Sequence, residues 1–320
     1  MKTKIFLTVT FLGVFSISLG AMERFALLVG ANDGGKTRVK LSYAESDARN
    51  IERVLSSMGG LSESNSILLS SPTLEGVLSG LTAVKDKIRA GKSGDRVEFL
   101  FYYSGHSDEK GLLLRGDRFE YQDLKKQIKD MPGNVKIAIL DSCASGVLTR
   151  LKGGQHVLPF EMDVSSEARG YAFLTSSAAA ESSQESDAIK ASFFTHYLAS
   201  GLRGAADLNG DGKVSLQEAY QFAFQETLQR TERTKDGPQH PGYDIQMSGA
   251  GDLVLTDLRG TESRILIDAP LLGKFFIRDE QGYLTAEINK SGKRQMAIGV
   301  EPGHYQITLI QDEKSFSASV

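Results

Sequence analysis

Residues 136–146 read KIAILDSCASG, an apolar run that ends abruptly in small polar residues and in Cys143, the only cysteine of the chain. Residues 97–107 read VEFLFYYSGHS and repeat the pattern, with His106 after the apolar run. Both runs predict buried strands, because short apolar stretches of this kind are typical of central strands in α/β proteins. In such folds ligands and catalytic groups lie at the carboxyl ends of strands. A thiol at one strand end and an imidazole at another therefore predict a nucleophile and its proton-transfer partner.

The alternative for Cys143 is a purely structural role, since a free cysteine is most often a small, buried apolar side chain. The paired strand-end context favours the catalytic interpretation. The four other histidines are weaker candidates than His106. They lie in a predicted loop, a helix, a turn and the C-terminal part of the chain: His156, His196, His240 and His304.

Strands and helices alternate along most of the chain. The apolar periodicity predicts strands at 24–30, 66–70, 97–103, 135–140 and 171–177, and helices at 73–90, 121–131, 192–202 and 216–230. A further helix follows Ser42 and Glu45, which have the spacing of a capping box. The alternation predicts an α/β fold, with a mostly parallel sheet and helices on both faces. Residues 146–170 and 231–251 show no period and are predicted as loops.

The chain is predicted to have three parts: a signal peptide over 1–21, an α/β domain over 22–260 and a small all-β module over 261–320. The first part has lysines, then an apolar stretch, then small residues, as secretory signals do. The alternative is an uncleaved membrane anchor, but the apolar stretch is shorter than the ~20 residues of a membrane-spanning helix. We therefore expect a periplasmic or secreted protein with no membrane span after signal removal. The last part has short alternating segments separated by glycine turns and carries no recognisable chemistry.

The composition excludes several classes of protein. The formal net charge is −3, and the chain lacks the clustered basic stripe that binding to phosphate backbones requires, so no nucleic-acid partner is expected. Hydrophobic residues make up 40% of the sequence, which is enough to bury a large core. A single cysteine excludes a disulfide within the chain, although the expected compartment is oxidising.

The two strand-end motifs resemble those of the caspase and metacaspase family of cysteine peptidases. The similar strings are YYSGHS around His106 and DSCASG around Cys143, in the family's order. Their separation, 143 − 106 = 37 residues, is shorter than the roughly 50 typical of caspases. FALLVGANDGG, LSYAESDARNIERVL, GYAFLTSSAAAESSQE and SFFTHYLASGL also resemble family elements, so the resemblance runs over about 24–257. It implies a caspase-like fold and cleavage of peptide bonds in protein or peptide substrates.

Cleavage by a thiol requires a thiolate, a proton for the leaving amine and stabilisation of the carbonyl oxygen. The resemblance implies that Cys143 is the nucleophile and His106 the general acid and base. It also implies that the backbone N–H groups of Gly105 and Cys143 stabilise the oxyanion. Because the family needs no Asp or Asn to orient the histidine, we expect a dyad.

The residue two before the nucleophile predicts the substrate. The caspase signature has glutamine there, whereas this chain has Asp141. Resemblance to metacaspases implies that Asp141 and a second carboxylate, Asp47, line the first specificity pocket. Two carboxylates would select arginine or lysine through charge-assisted hydrogen bonds. The alternative for Asp47 is a solvated position on a helix face. Self-processing at Arg150, Lys152 or Arg169 is a further hypothesis.

Residues 207–218, DLNGDGKVSLQE, match the twelve-residue calcium loop at each key position. Gly212 falls at the sharp turn. The expected oxygen donors are five side chains and one backbone carbonyl, that of Lys213: Asp207, Asn209, Asp211, Lys213, Ser215 and Glu218. The alternative is an acidic turn that binds no metal. No organic cofactor is expected.

Two other interpretations compete with the peptidase. Residues 30–37, GANDGGKT, fit the pattern of a phosphate-binding loop. Such a loop opens directly into a helix, however, whereas the helix signals here begin only at Ser42, so we reject this interpretation. The other possibility is a catalytically silent caspase homologue that acts as a binding module; the intact His106 and Cys143 argue against it.

Overall fold

The computed structural model describes residues 22–91, 96–143, 145–147, 169–178, 181–248 and 252–320. Within these ranges the α-helices are α1 (Ala44–Met58), α2 (Leu74–Ala90), α3 (Tyr121–Lys129), α4 (Phe193–Ser200), which a π-helical turn over Gly201–Ala205 continues, and α5 (Leu216–Thr231). The strands of the first half are β1 (Met22–Ala31), β2 (Leu61–Ser70), β3 (Arg96–Gly105), β4 (Gly111–Leu114), β5 (Asp117–Glu120), β6 (Val135–Asp141) and β7 (Arg169–Thr175). Those of the second half are β8 (Glu185–Ser186), β9 (Ala191–Ser192), β10 (Lys213–Ser215), β11 (Gly242–Ser248), β12 (Val254–Asp257), β13 (Ser263–Ile267), β14 (Gly273–Asp279), β15 (Leu284–Lys290), β16 (Met296–Val300), β17 (Tyr305–Gln311) and β18 (Lys314–Ser319).

A six-stranded sheet in the order β11-β7-β6-β3-β1-β2 forms the centre of the molecule. The pairs β1–β2, β1–β3, β3–β6 and β6–β7 are parallel, and β7–β11 is antiparallel. The carboxyl ends of β1, β3, β6 and β7 consequently lie along one edge of the sheet. The predicted mostly parallel sheet is confirmed.

Helices cover both faces of this sheet. Alternate residues of β3 point to opposite faces, as strand geometry requires. Leu100 and Tyr102 pack with α1, α4 and α5, whereas Phe99, Phe101 and Tyr103 pack with α2 and α3. Helix α4 differs from the others because all eight of its residues are buried.

Two local predictions were wrong, and one element was not predicted. Residues 242–248, predicted as loop, form β11 at one edge of the sheet. The hairpin of β4 and β5 was not anticipated. The capping box of Ser42 and Glu45 does not form: α1 begins at Ala44, and the Ser42 amide donates instead to Glu185.

The C-terminal module consists of two antiparallel sheets, β13–β16 and β15-β14-β17-β18, around their own apolar core. It packs closely on the larger domain. A Cβ at Gly204 would lie 2.3 Å from the Ala297 carbonyl oxygen, and the buried Arg203 side chain pairs with Glu301 at 3.1 Å. Across the described ranges, no helix combines the length and apolarity needed to cross a membrane.

Some predictions fall outside the described residues. These are the signal peptide over 1–21, the greater part of the loop predicted at 146–170, His156, Arg150 and Lys152. Arg169 is described and is the first residue of β7.

Candidate active site

His106 and Cys143 follow neighbouring parallel strands. The β3–β6 register pairs Ser104 with Asp141, and each of the two reactive residues lies two positions beyond that pair. A hydrogen bond from the Ser107 hydroxyl to the Cys143 carbonyl oxygen links the two strand ends beyond the last register pair. The structure thus brings the predicted nucleophile and its partner to the same place on the sheet edge.

The loop after β1 fixes the His106 ring. The Nε2 atom lies 2.7 Å from the Val39 carbonyl oxygen, so this nitrogen carries the hydrogen when it bonds to Val39. On the other side, a Cβ at Gly34 would lie only 2.5 Å from the ring, so glycine is required for the ring to pack there. Burial lowers the pKa of His106 below its usual value; the Val39 carbonyl opposes that shift, and the nearby Arg38 charge adds to it.

The end of β3 is shaped by Tyr103 and Gly105. The Tyr103 hydroxyl donates to the carbonyl oxygens of His106, at 2.7 Å, and of Leu113, at 3.1 Å. A Cβ at Gly105 would lie 2.5 Å from that hydroxyl and 2.9 Å from the Ala31 carbonyl oxygen. Only glycine therefore fits at position 105, because the backbone of β3 runs so close to β1.

Cys143 is a free thiol of intermediate exposure. Its sulfur lies 3.9 Å from the Ser183 carbonyl oxygen, to which the thiol donates a weak hydrogen bond. Ser183 also donates from its hydroxyl to the Asp141 carboxylate. The segment before β8 thus contacts both the nucleophile and the carboxylate two residues before it.

The two carboxylates predicted to select the substrate are both buried and share hydrogen-bond donors. Asp47 and Asp141 are each 2% exposed. Asp141 accepts hydrogen bonds from the Thr195 hydroxyl at 2.6 Å, the Thr195 amide at 3.2 Å and the Ser192 hydroxyl. Asp47 accepts from the Ser192 amide and the Ser104 hydroxyl, both at 3.3 Å. Asp47 is therefore not a solvated helix-face residue.

A third carboxylate, which the sequence analysis missed, lies beside this pair. Glu185 on β8 accepts the amides of Ser42 and Tyr43, each at 3.0 Å. Burial raises the pKa of Glu185, and repulsion from Asp141 adds to the rise despite those two hydrogen bonds. Burial likewise raises the pKa of Asp47 well above its usual range, with Asp141 as the next cause. Three carboxyl groups thus lie close together in a region where burial and their mutual repulsion make ionisation costly.

Other side chains keep the β7–β8 connection in place. The buried Gln239 side chain accepts the Gln184 amide at 3.1 Å and donates to the Ser176 carbonyl at 2.8 Å. His240 Nδ1 lies 2.7 Å from Glu181. His240, predicted only to shape a turn, is thus an anchor for the segment that holds Ser183 against the cysteine.

The residues of the predicted calcium loop form a sharp turn with β10 at its end. Gly212 has a φ of +79°, as the sixth position of a calcium loop requires. The Asp207, Asn209 and Asp211 side chains accept loop amides at 2.8–3.0 Å, and Glu218 completes a capping box with Ser215 at the start of α5. In the parts of the chain described, no three His, Cys, Asp or Glu side chains are gathered to hold a metal ion.

Residues 30–37 do not lead into a helix. Residues 30–31 end β1, residues 32–37 belong to the loop over His106, and α1 begins only at Ala44. The Arg115 amide donates to the Asp33 carbonyl at 2.9 Å, which ties this loop to the β4–β5 hairpin. The strand–loop–helix geometry of a phosphate-binding loop is therefore absent from this described segment.

Comparisons with known proteins agree with this architecture. A family model described as a caspase domain matches residues 23–248. Among solved structures, caspase-1 from Spodoptera frugiperda superposes with a TM-score of 0.54 at 13% identity, covering 75% of this chain and 94% of that one. The search of curated proteins gave no match. The match to the family model over most of the chain, together with the shared fold, shows that this protein belongs to the caspase-domain family of peptidases.

Proposed function

We propose that the protein is a cysteine endopeptidase in which Cys143 and His106 form the catalytic dyad. The observation that carries the proposal is their position at the carboxyl ends of adjacent parallel strands, joined by the Ser107–Cys143 hydrogen bond. The Cys143 sulfur attacks the scissile carbonyl carbon and forms a thioester, and His106 gives a proton to the departing amine. Water, activated by the same imidazole, then hydrolyses the thioester and regenerates the thiol.

The Val39 carbonyl has the orienting role that an Asp or Asn side chain has in other cysteine and serine peptidases. Because Nε2 donates to Val39, Nδ1 is the nitrogen available to exchange a proton with the sulfur. A backbone acceptor is neutral and cannot stabilise an imidazolium as a carboxylate does, in keeping with the lowered pKa of His106. The amides of Gly105 and Cys143 are the proposed oxyanion donors.

Cleavage after arginine or lysine is the proposed specificity. Asp47 and Asp141 are buried, and the contacts found for them within the described chain are with hydroxyls, amides and other acids, not with a cation. A guanidinium or ammonium group of the substrate would supply the missing charge through charge-assisted hydrogen bonds. Glu185 adds a third carboxyl group beside the pair, and a substrate cation would favour the ionised forms of these acids.

A panel of fluorogenic peptides that end in Arg, Lys, Asp or citrulline tests both proposals. We expect turnover of the Arg and Lys peptides, none with Cys143→Ala or His106→Ala, and labelling of Cys143 by iodoacetamide in the folded protein. Preference for Asp would reject the pocket assignment and leave the dyad intact. Failure of the thiol to react in a folded protein would instead favour the silent binding homologue.

Self-processing is tested with the same variants. If the enzyme cuts itself after Arg150, Lys152 or Arg169, purified wild-type chains will shorten on a gel and Cys143→Ala chains will not. Of these three residues Arg169 lies in the described part of the chain: its side chain is exposed, and its backbone pairs with Ser248 of β11 at the start of β7. Equal fragmentation of both chains would exclude self-processing.

We further propose a calcium site at 207–218. Its support is the matched spacing of oxygen donors and the left-handed Gly212. Asp207, Asn209, Asp211, the Lys213 carbonyl, Ser215 and Glu218 would hold the ion. Extracellular calcium modules bind with dissociation constants on the order of 0.1–1 mM, so about 5 mM calcium should raise the thermal midpoint relative to chelator. Glu218→Gln should abolish this increase; an unchanged midpoint in the wild type would reject the site.

A further inference from the structure

Helix α4 lies between the specificity carboxylates and the C-terminal module. Its first turn faces the pocket: Thr195 donates to Asp141 from both its hydroxyl and its amide. The neighbouring residues face the module, where they meet Glu287 of β15. The Tyr197 hydroxyl donates to Glu287 Oε1 at 3.2 Å, and His196 Nε2 lies 3.5 Å from Oε2.

Glu287 is a charged residue that is buried in the C-terminal module. Its side chain is 3% exposed and is paired with Lys274 at 2.5 Å. Its backbone amide donates to the Ser200 hydroxyl at 3.2 Å, at the far end of α4. Burial alone would raise the pKa of Glu287, but His196 and Lys274 lower it to about 2, so the carboxylate is ionised at neutral pH.

A second contact joins the module to the same pocket. The Lys190 ammonium, in the β8–β9 turn, lies over the Tyr283 ring at 4.8 Å. This turn follows Glu185 and precedes Ser192, and both of those residues belong to the acidic region. The C-terminal module therefore contacts two elements beside the acidic region, helix α4 and the β8–β9 turn.

We propose that Glu287 is a positioning residue for cleavage after basic residues: it holds α4, and α4 holds the Asp141 carboxylate through Thr195. The inference rests on the proposed function. The module then acts as part of the peptidase and not only as an appended surface. Because the Glu287 side chain is buried against α4 and Lys274, it acts on substrate only through the helix.

The test compares Glu287→Gln with Glu301→Gln. Both variants remove a charge that links the module to the larger domain, but Glu301 pairs with Arg203, beyond the end of α4. For Glu287→Gln we expect KM for an Arg peptide to rise about tenfold with kcat little changed, and discrimination between Arg and citrulline to fall by a similar factor. Glu301→Gln should keep the wild-type discrimination. Equal behaviour of the two variants would overturn the proposal.

Hydrogen exchange gives a readout that does not need activity. Amides of residues 192–200 should exchange faster in Glu287→Gln than in the wild type. Their exchange rates should be the same in Glu301→Gln as in the wild type. If the wild type cleaves no basic peptide but this difference appears, the specificity is wrong and the positioning link holds. If Arg cleavage is normal and exchange does not differ, the positioning link is wrong. Should Glu287→Gln fail to fold, Tyr197→Phe removes one hydrogen bond to Glu287 and is expected to change discrimination in the same direction.

Discussion

The two sides of the candidate active site are built by different means. On the histidine side, backbone groups do the positioning: the Val39 carbonyl bonds the ring, and Gly34 leaves space for it. On the carboxylate side, hydroxyl side chains such as those of Ser192 and Thr195 position the acid by hydrogen bonds. The first arrangement is sensitive to added volume and the second to lost hydrogen bonds and charge. Substitutions can therefore separate catalysis from specificity.

The largest effect is expected on the histidine side. A methyl group at Gly34 would lie 2.5 Å from the His106 ring, so Gly34→Ala must displace either the ring or the loop. Displacement of a catalytic group by about 1 Å can reduce turnover on the order of 10²-fold, and we expect a loss of that size in kcat. Gly260→Ala is the matched control, because nothing lies within 4 Å of its added Cβ. Normal turnover in Gly34→Ala would mean that this loop does not fix the ring.

A smaller and more selective effect is expected on the carboxylate side. Asp141→Asn should raise KM for Arg peptides about ten- to hundredfold. The reason is that a hydrogen bond to a charged group contributes more binding free energy than a hydrogen bond between neutral groups. Asp47→Asn should change KM less, by no more than about threefold, because burial and Asp141 raise the pKa of Asp47 and so make its charged form less favourable. Michaelis–Menten kinetics with Arg and citrulline peptides measure both. A larger effect of Asp47→Asn would reverse the assigned roles.

The raised pKa of Asp47 also predicts that the stability of the fold changes with pH. The folded-state pKa of Asp47 lies well above the ordinary aspartate value of 3.8, so folding favours the protonated form. This contribution is present below pH 3.8 and is lost as the pH rises through the folded-state pKa. Asp47→Asn keeps a neutral amide in place and should melt higher than the wild type at neutral pH. Thermal unfolding should show this difference shrinking as the pH falls towards 3.8; a constant difference would mean that ionisation is not its cause.

The smallest effect concerns the charge near His106. Arg38 lowers the pKa of His106, so Arg38→Gln should move the acidic limb of the kcat/KM profile towards higher pH. Interactions of exposed charges are weak, and we expect a shift of about 0.2–0.4 pH units. Arg38→Lys keeps the charge and should leave the limb in place. If both variants shift equally, the cause is the loop's conformation.

Much of the fold could be predicted because the central strands are continuous apolar runs. β3 and β6 are buried on both faces, which leaves an unmistakable pattern in the sequence. The edge strand β11 was missed because its side chains alternate only weakly. Its buried position 244 is an aspartate that pairs with Lys125, so the one clear core position is occupied by a charged residue.

The candidate site could be predicted only where side-chain identity carries the signal. His106 and Cys143 stand out by type and position. The Val39 carbonyl does not, since every residue has a carbonyl and only the path of the loop brings this one to the ring. Glu185 is brought near Asp47 and Asp141 by the pairing of β8 with β9, whose two-residue strands are too short to give a periodic pattern.

Every face of helix α4 is covered by other parts of the protein. All eight of its residues are buried, and Leu284 of the C-terminal module packs in the same apolar core as this helix. A truncation after residue 260 would remove the contacts of the C-terminal module with α4 and expose His196 and Tyr197 to water. The shortened chain should therefore lose thermal stability as a whole and not merely lose its tail, which makes the two parts a single cooperative folding unit.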